Sequence, residues 1–142
     1  MSRSIDIDFT FGESFDVAAV IRRLMGAEMR ASFDGEVSYL VDEDGMFDWR
    51  KGRDSELASF ISVVSAERWK ERTVGITLYF PDSDSGGDFL FHPGRETVSC
   101  VIGINPKVLP GSRFCDFGWY LDKLIPLLEP MGLVRVEATD SA

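Results

Sequence analysis

The chain has 142 residues, 44% hydrophobic and 12% aromatic, enough to bury a core without disulfide or metal staples. That mixture excludes disorder and reads as one globular domain over residues 1–142. The formal charge of −9 at pH 7 argues against nucleic acid or an anionic membrane as a direct partner, since both repel such a field.

Residues 5–11 alternate strictly: Ile5, Ile7, Phe9 and Phe11 on one side, Asp6, Asp8 and Thr10 on the other. That is a strand with one wet face, the Asp6 and Asp8 carboxylates being what a solvated sheet surface requires. Ser14 then reads as a helix N-cap with Asp16 in the first turn. Val17, Val20, Ile21, Leu24 and Met25 follow at helical spacing up to Gly26.

Val37, Tyr39 and Val41 alternate again, and Phe47 and Trp49 resume beyond Asp42-Glu43-Asp44-Gly45. Asp44-Gly45 is the hairpin signal there. Asp54 is placed to cap a helix over 55–71, with Leu57, Phe60, Ile61 and Val64 as its stripe, although Ile61-Ser62-Val63-Val64 would also suit a short strand. Three strands come next: Val74 to Phe80, ended by Pro81; Phe89 to His92, after the polar loop 82–88; and Val98 to Ile104, after the Pro93-Gly94 turn. Asn105 to Gly111 is a loop, Asp116 caps a last helix carrying Tyr120, Leu121, Leu124, Leu127 and Leu128, and Leu133 to Ala138 closes as a strand. Pro126 should kink that helix.

The order β-α-β-β-α-β-β-β-α-β is dominated by hairpins. It predicts an α+β fold: a mostly antiparallel sheet with two to three helices packed on one face.

The start, MSRSIDIDF, has no apolar signal region, and Leu124–Val134 is interrupted by Pro126, Glu129, Pro130 and Gly132. The expected location is therefore the cytoplasm, and two cysteines outside any metal spacing suit its reducing conditions. Cys100 reads as a buried small hydrophobe, whereas Cys115 precedes a helix N-terminus that favours its thiolate.

The acidic excess is unevenly placed. Residues 34–48 hold six acids and no base, and residues 82–88 hold three more and no base, together matching the whole net charge. If the two segments meet at one end of the sheet, Asp42, Glu43, Asp44, Asp48, Asp82, Asp84 and Asp88 form one negative face, with Trp49 as its aromatic anchor. Such a face fits a basic protein partner. The competing reading is that Asp and Gly simply suit turns.

Catalytic constellations are sparse. Asp82, Asp84 and Asp88 superficially resemble a calcium loop, but Gly86 and Pro93 stand where two ligands belong. With one histidine, His92, a zinc site of several His is excluded, and no cofactor is expected. A triad on His92 would need a Ser and an Asp brought to it by folding, and no nucleophile elbow suggests one. No nucleotide-binding glycine pattern is present. The sequence leans against an enzyme and toward a non-catalytic acidic protein-binding module, an inhibitor of a basic partner. In general profile alone this resembles immunity proteins that neutralise bacterial toxins, with no motif shared. The alternative is a small-ligand-binding protein or enzyme with a pocket near His92. A homodimer through a sheet edge is a third possibility.

Overall fold

The computed structural model describes residues 3–141. In chain order the elements are β1 (Ser4–Phe11), α1 (Val17–Gly26), β2 (Ser32–Phe33), β3 (Glu36–Val41), β4 (Trp49–Arg53), α2 (Leu57–Val64), β5 (Val74–Tyr79), β6 (Gly86–Phe91), β7 (Thr97–Ile104), α3 (Phe117–Leu128) and β8 (Leu133–Ser141). All strands join one antiparallel sheet, running β4-β3-β5-β6-β7-β1-β8, with two-residue β2 beside the start of β3 on the β5 side. The predicted α+β architecture is present.

The period-2 patterns set the two faces. Ile5, Ile7, Phe9 and Phe11 of β1, Val74, Ile76 and Leu78 of β5, and Phe89 and Phe91 of β6 all point into one core cluster. Val20, Ile21 and Leu24 of α1, Phe60 and Val64 of α2, and Tyr120, Leu124 and Leu128 of α3 fill it from the helix side. Among the described residues no helix covers the opposite face of the sheet.

Several local expectations need correction. The N-cap residue of α1 is Asp16, not Ser14, and its side chain makes no capping bond. The helix expected over 55–71 is α2 alone, preceded by a 3-10 turn at Asp54–Glu56 and followed by another at Glu67–Trp69. The ladder ends after the Ser65 amide donates to Ile61 at 3.0 Å: the next amide, Ala66, turns to the Val63 carbonyl at 3.2 Å, and Ser65 Oγ adds a bond to the Ile61 carbonyl at 2.7 Å. Asp116 does cap α3, accepting from the Trp119 amide at 3.3 Å. Pro126 lies inside α3.

The tight Asp-Gly hairpin is at Asp34-Gly35, joining β2 to β3, where both residues have positive φ (52° and 78°) as a two-residue primed turn demands. Asp44-Gly45 instead lies within the longer 42–48 loop. There Asp42 accepts from the Phe47 amide at 3.2 Å and Asp44 from the Met46 amide at 3.0 Å. Those carboxylates shape the turn.

Tyr120 ties the loops at one end of the sheet together. Its ring is fully buried, its hydroxyl accepts from the Lys107 amide at 2.9 Å, and it shares a 2.9 Å hydrogen bond with Ser85.

Candidate functional site

The register decides the fate of the acidic turns. Val41 of β3 lies opposite Val74, the first residue of β5, whereas Tyr79, the last residue of β5, lies opposite Gly86. The loop 42–48 leaves the sheet where β5 begins, and the loop 80–85 leaves where β5 ends. A strand of six residues separates them, roughly 17 Å at about 3.4 Å per residue. Asp42, Glu43, Asp44 and Asp48 therefore do not meet Asp82 and Asp84. The single acidic end-face expected from the sequence does not form, because β5 starts beside the end of β3 and runs antiparallel to it, carrying the second loop to the far end. Glu43 is further engaged by Arg50 at 2.6 Å.

Asp88 belongs to neither loop. It lies within β6, half-buried on the uncovered face, accepting from Thr77 Oγ1 at 2.7 Å. Burial raises its pKa above the ordinary carboxylate value, with the Thr77 hydrogen bond opposing.

Around Asp88 the fold assembles what the sequence left scattered. Register rows on the uncovered face pair Asp88 with Val101 and Val101 with Asp6, then Leu90 with Ser99 and Ser99 with Asp8. The uncovered face of the adjacent strands β6, β7 and β1 thus carries Asp88, Asp6 and Asp8 and no base. Glu137 continues the row on β8, ion-paired with Arg135 beside it.

Trp49 belongs to this same face. A Cβ on Gly75 would lie 3.3 Å from the Trp49 ring and 2.9 Å from a Leu90 methyl, so the indole lies over a strand position that only glycine leaves open. Trp49 and Leu90 form an apolar patch flanking the carboxylates.

His92, just beyond β6, completes the group. Its Nε2 is 2.7 Å from Ser99 Oγ, and Ser99 Oγ donates to Asp8 Oδ1 at 2.6 Å. With the one hydroxyl proton on the Asp8 bond, Nε2 carries its own hydrogen and donates to Ser99. A serine, a histidine and an aspartate have been brought together, but with serine in the middle. A Ser-His-Asp triad needs the histidine between them, as base to the hydroxyl and held by the carboxylate. Ser99 is also buried (7% exposed), beneath an open hollow of about 290 Å³ with a polar lining that includes Thr10, Thr97 and Arg135. The arrangement links the end of β6, β7 and β1 through their side chains and is not the order of a Ser-His-Asp triad.

Burial lowers the His92 pKa, with Arg95 acting in the same sense and Asp8 opposing. The native state prefers neutral imidazole, so below the ordinary value of about 6.5 the unfolded chain binds more protons and stability falls with pH. The thermal midpoint should therefore drop on acidification through that window, and His92→Gln should flatten the drop. An unchanged profile in the variant would assign it to other groups. Asp88, whose pKa is raised, acts oppositely at lower pH, its stabilising protonation being lost as pH rises.

No family model, curated protein or solved structure matches this chain. The chemistry of the face has to be read from its own residues.

The cysteines contribute none. Cys100 is fully buried and its pKa is raised by desolvation. Cys115, expected to be helped toward thiolate by α3, is pushed up to about 11 by burial, with Asp140 adding to it. The helix N-terminus is overridden.

Arg95 escaped the sequence reading altogether. It is buried (6% exposed) and has positive φ (54°) after the Pro93-Gly94 turn. Its guanidinium donates to the carbonyls of Trp69 (2.7 Å), Arg72 (2.8 Å), Phe91 (2.9 Å) and His92 (2.9 Å). An arginine following a Pro-Gly turn was the sole hint. Its role is to bind the 69–72 segment to the end of β6.

Proposed function

We propose that this chain is a non-catalytic binding module whose uncovered sheet face receives a cationic segment of a partner protein. The observation that carries the reading is the gathering of Asp6, Asp8 and Asp88 on three adjacent strands, with no base among them and the Trp49–Leu90 patch alongside. Carboxylates on a low-dielectric wall focus a negative field that draws in a cationic partner, and a half-buried indole supplies the anchor that fields lack. A basic peptide or protein surface satisfies both; an anionic membrane or nucleic acid satisfies neither. Capture or inhibition of a basic protein is the corresponding role.

The alternative of an enzyme or small-ligand pocket at His92 draws support from the Asp8–Ser99–His92 chain, but the serine-centred order and open polar hollow favour surface recognition.

The test uses an oligolysine peptide as electrostatic probe, alongside capture of basic proteins from lysate, over a salt series. Asp6→Lys combined with Asp8→Asn, which keeps an acceptor for Ser99, should slow peptide association about 10-fold or more. Reversal of Asp42 and Asp44, or of Asp82 and Asp84, should change it much less. If the turn variants abolish binding and the sheet-face variant does not, the face is wrong.

A further inference from the structure

We infer that this chain pairs with a second copy of itself, edge to edge along β8, in the antiparallel register centred on Val136. The inference is independent of the binding role proposed above.

Among the described residues the sheet has two free edges, β4 and β8. The β4 edge is short, five residues, and carries Arg50, Lys51 and Arg53, like charges that discourage pairing with a copy. β8 is nine residues long, the longest strand described, and contains neither lysine nor proline. Its one strand partner is β1, and Val134 is 69% exposed.

Hydrogen-bond parity identifies which backbone groups of β8 are free. The Phe11 amide donates toward the β7 side, to Glu96, and the Gly12 amide toward the β8 side, to Gly132. Alternation along β1 then turns Asp6, Asp8 and Thr10 toward β8, so their partners Thr139, Glu137 and Arg135 bond inward. The amides and carbonyls of Val136, Ala138 and Asp140 face outward, unpaired by any strand.

An antiparallel pair between two such edges matches outward residues with outward residues, so symmetric registers advance one residue of the centre at a time. Centred on Arg135, the close non-hydrogen-bonded pair at the axis is arginine on arginine. Centred on Glu137, it is glutamate on glutamate. Centred on Val136, Arg135 of each copy faces Glu137 of the other in both close pairs, completing an alternating square with the Arg135–Glu137 pair already present within each strand. Centred on Ala138, Glu137 faces Thr139 and no charges match. The bulge between the Thr10 and Phe11 pairings, at Val134, ends the regular edge and removes registers centred nearer the start of β8. Charge selects Val136.

Sedimentation equilibrium on the full chain tests this. The wild type should show a concentration-dependent monomer–dimer equilibrium. Arg135→Glu alone and Glu137→Arg alone should each weaken it roughly tenfold, two cross-strand pairs turning from attractive to repulsive, and the double exchange should restore it. Val136→Pro deletes an outward amide while leaving the bonds to β1, so it should yield a monomer whose circular dichroism matches the wild type. A wild type that stays monomeric overturns the inference. So does a dimer indifferent to the single charge variants, which decide the matter even if Val136→Pro does not fold.

Discussion

Gly52→Ala is expected to destabilise the fold by about 2–3 kcal/mol, the upper range for an overpacked core position. Gly52 lies on the helix side of β4, opposite Val37. A Cβ there would sit 2.2 Å from Phe60 Cζ and 2.7 Å from Phe60 Cε2, well inside contact distance. The ring has little freedom to yield. Phe60 is 8% exposed and stacked on Tyr39 with centroids 4.4 Å apart and planes 16° from parallel. Relief would require moving α2, which carries Phe60, or pushing β4 off β3. Urea denaturation checks the loss, and Phe60→Leu provides the internal control. Shortening the ring costs stability in the wild type, but in the Gly52→Ala background it also removes the clash. The double variant should therefore lose less than the sum of the singles. A Gly52→Ala protein within about 0.5 kcal/mol of wild type, an ordinary surface effect, would show that the ring relocates freely.

Arg95→Ala should cost about 2–4 kcal/mol. Hydrogen bonds from a charged donor are worth roughly 1.5–3 kcal/mol each. Four of them cannot simply be summed, because they share one group, and removing a buried cation recovers some desolvation. The Trp69 and His92 carbonyls also keep backbone donors, from the Arg72 and Arg95 amides. What is lost is the joint between the 69–72 segment and the end of β6, so the damage should be local as well as global. Hydrogen exchange should rise first in residues 66–73, before the strands of the core. Arg95→Lys should fall between wild type and alanine, since one ammonium cannot reach carbonyls spread around a planar fork. A loss below about 1 kcal/mol, or uniform exchange, would mean the four contacts are incidental.

The turn chemistry shows where sequence reading stops. Asp34-Gly35 and Asp44-Gly45 carry the same hairpin signal, yet the first makes the tight turn and the second lies in a longer loop. Local preference permits either. Pairing of Ser32-Phe33 with Glu36-Val37, backed by the Arg30–Tyr79 bridge to β5, selects the first. The two-residue β2 was invisible because its partners, not its own composition, make it a strand. The helix over 55–71 was overextended because its end is a change of backbone partner, the Ala66 amide turning to Val63, with a separate 3-10 turn at Glu67–Trp69 beyond it.

Charge was the other partial success. Counting acids located the excess along the chain, and the two-residue alternation of 5–11 placed Asp6 and Asp8 on a wet strand face. Asp88 was grouped with a loop because it ends the polar run 82–88, which includes Gly86-Gly87. In the sheet those glycines are strand residues pressed against neighbouring backbone, where a Cβ would come within 2.8 Å of a carbonyl oxygen.

From the sequence by itself came the α+β class, the core-facing residues of β1, β5 and β7, and the Asp116 cap of the last helix, because hydrophobic period and turn residues act within a few positions of one another. Only the tertiary structure decided which carboxylates are neighbours, that Ser99 stands between His92 and Asp8, that Trp49 lies across Gly75, and that Arg95 binds four carbonyls. Those are cross-strand relations. Strand order and register determine them, and both emerge from the packing of the whole sheet against its helices.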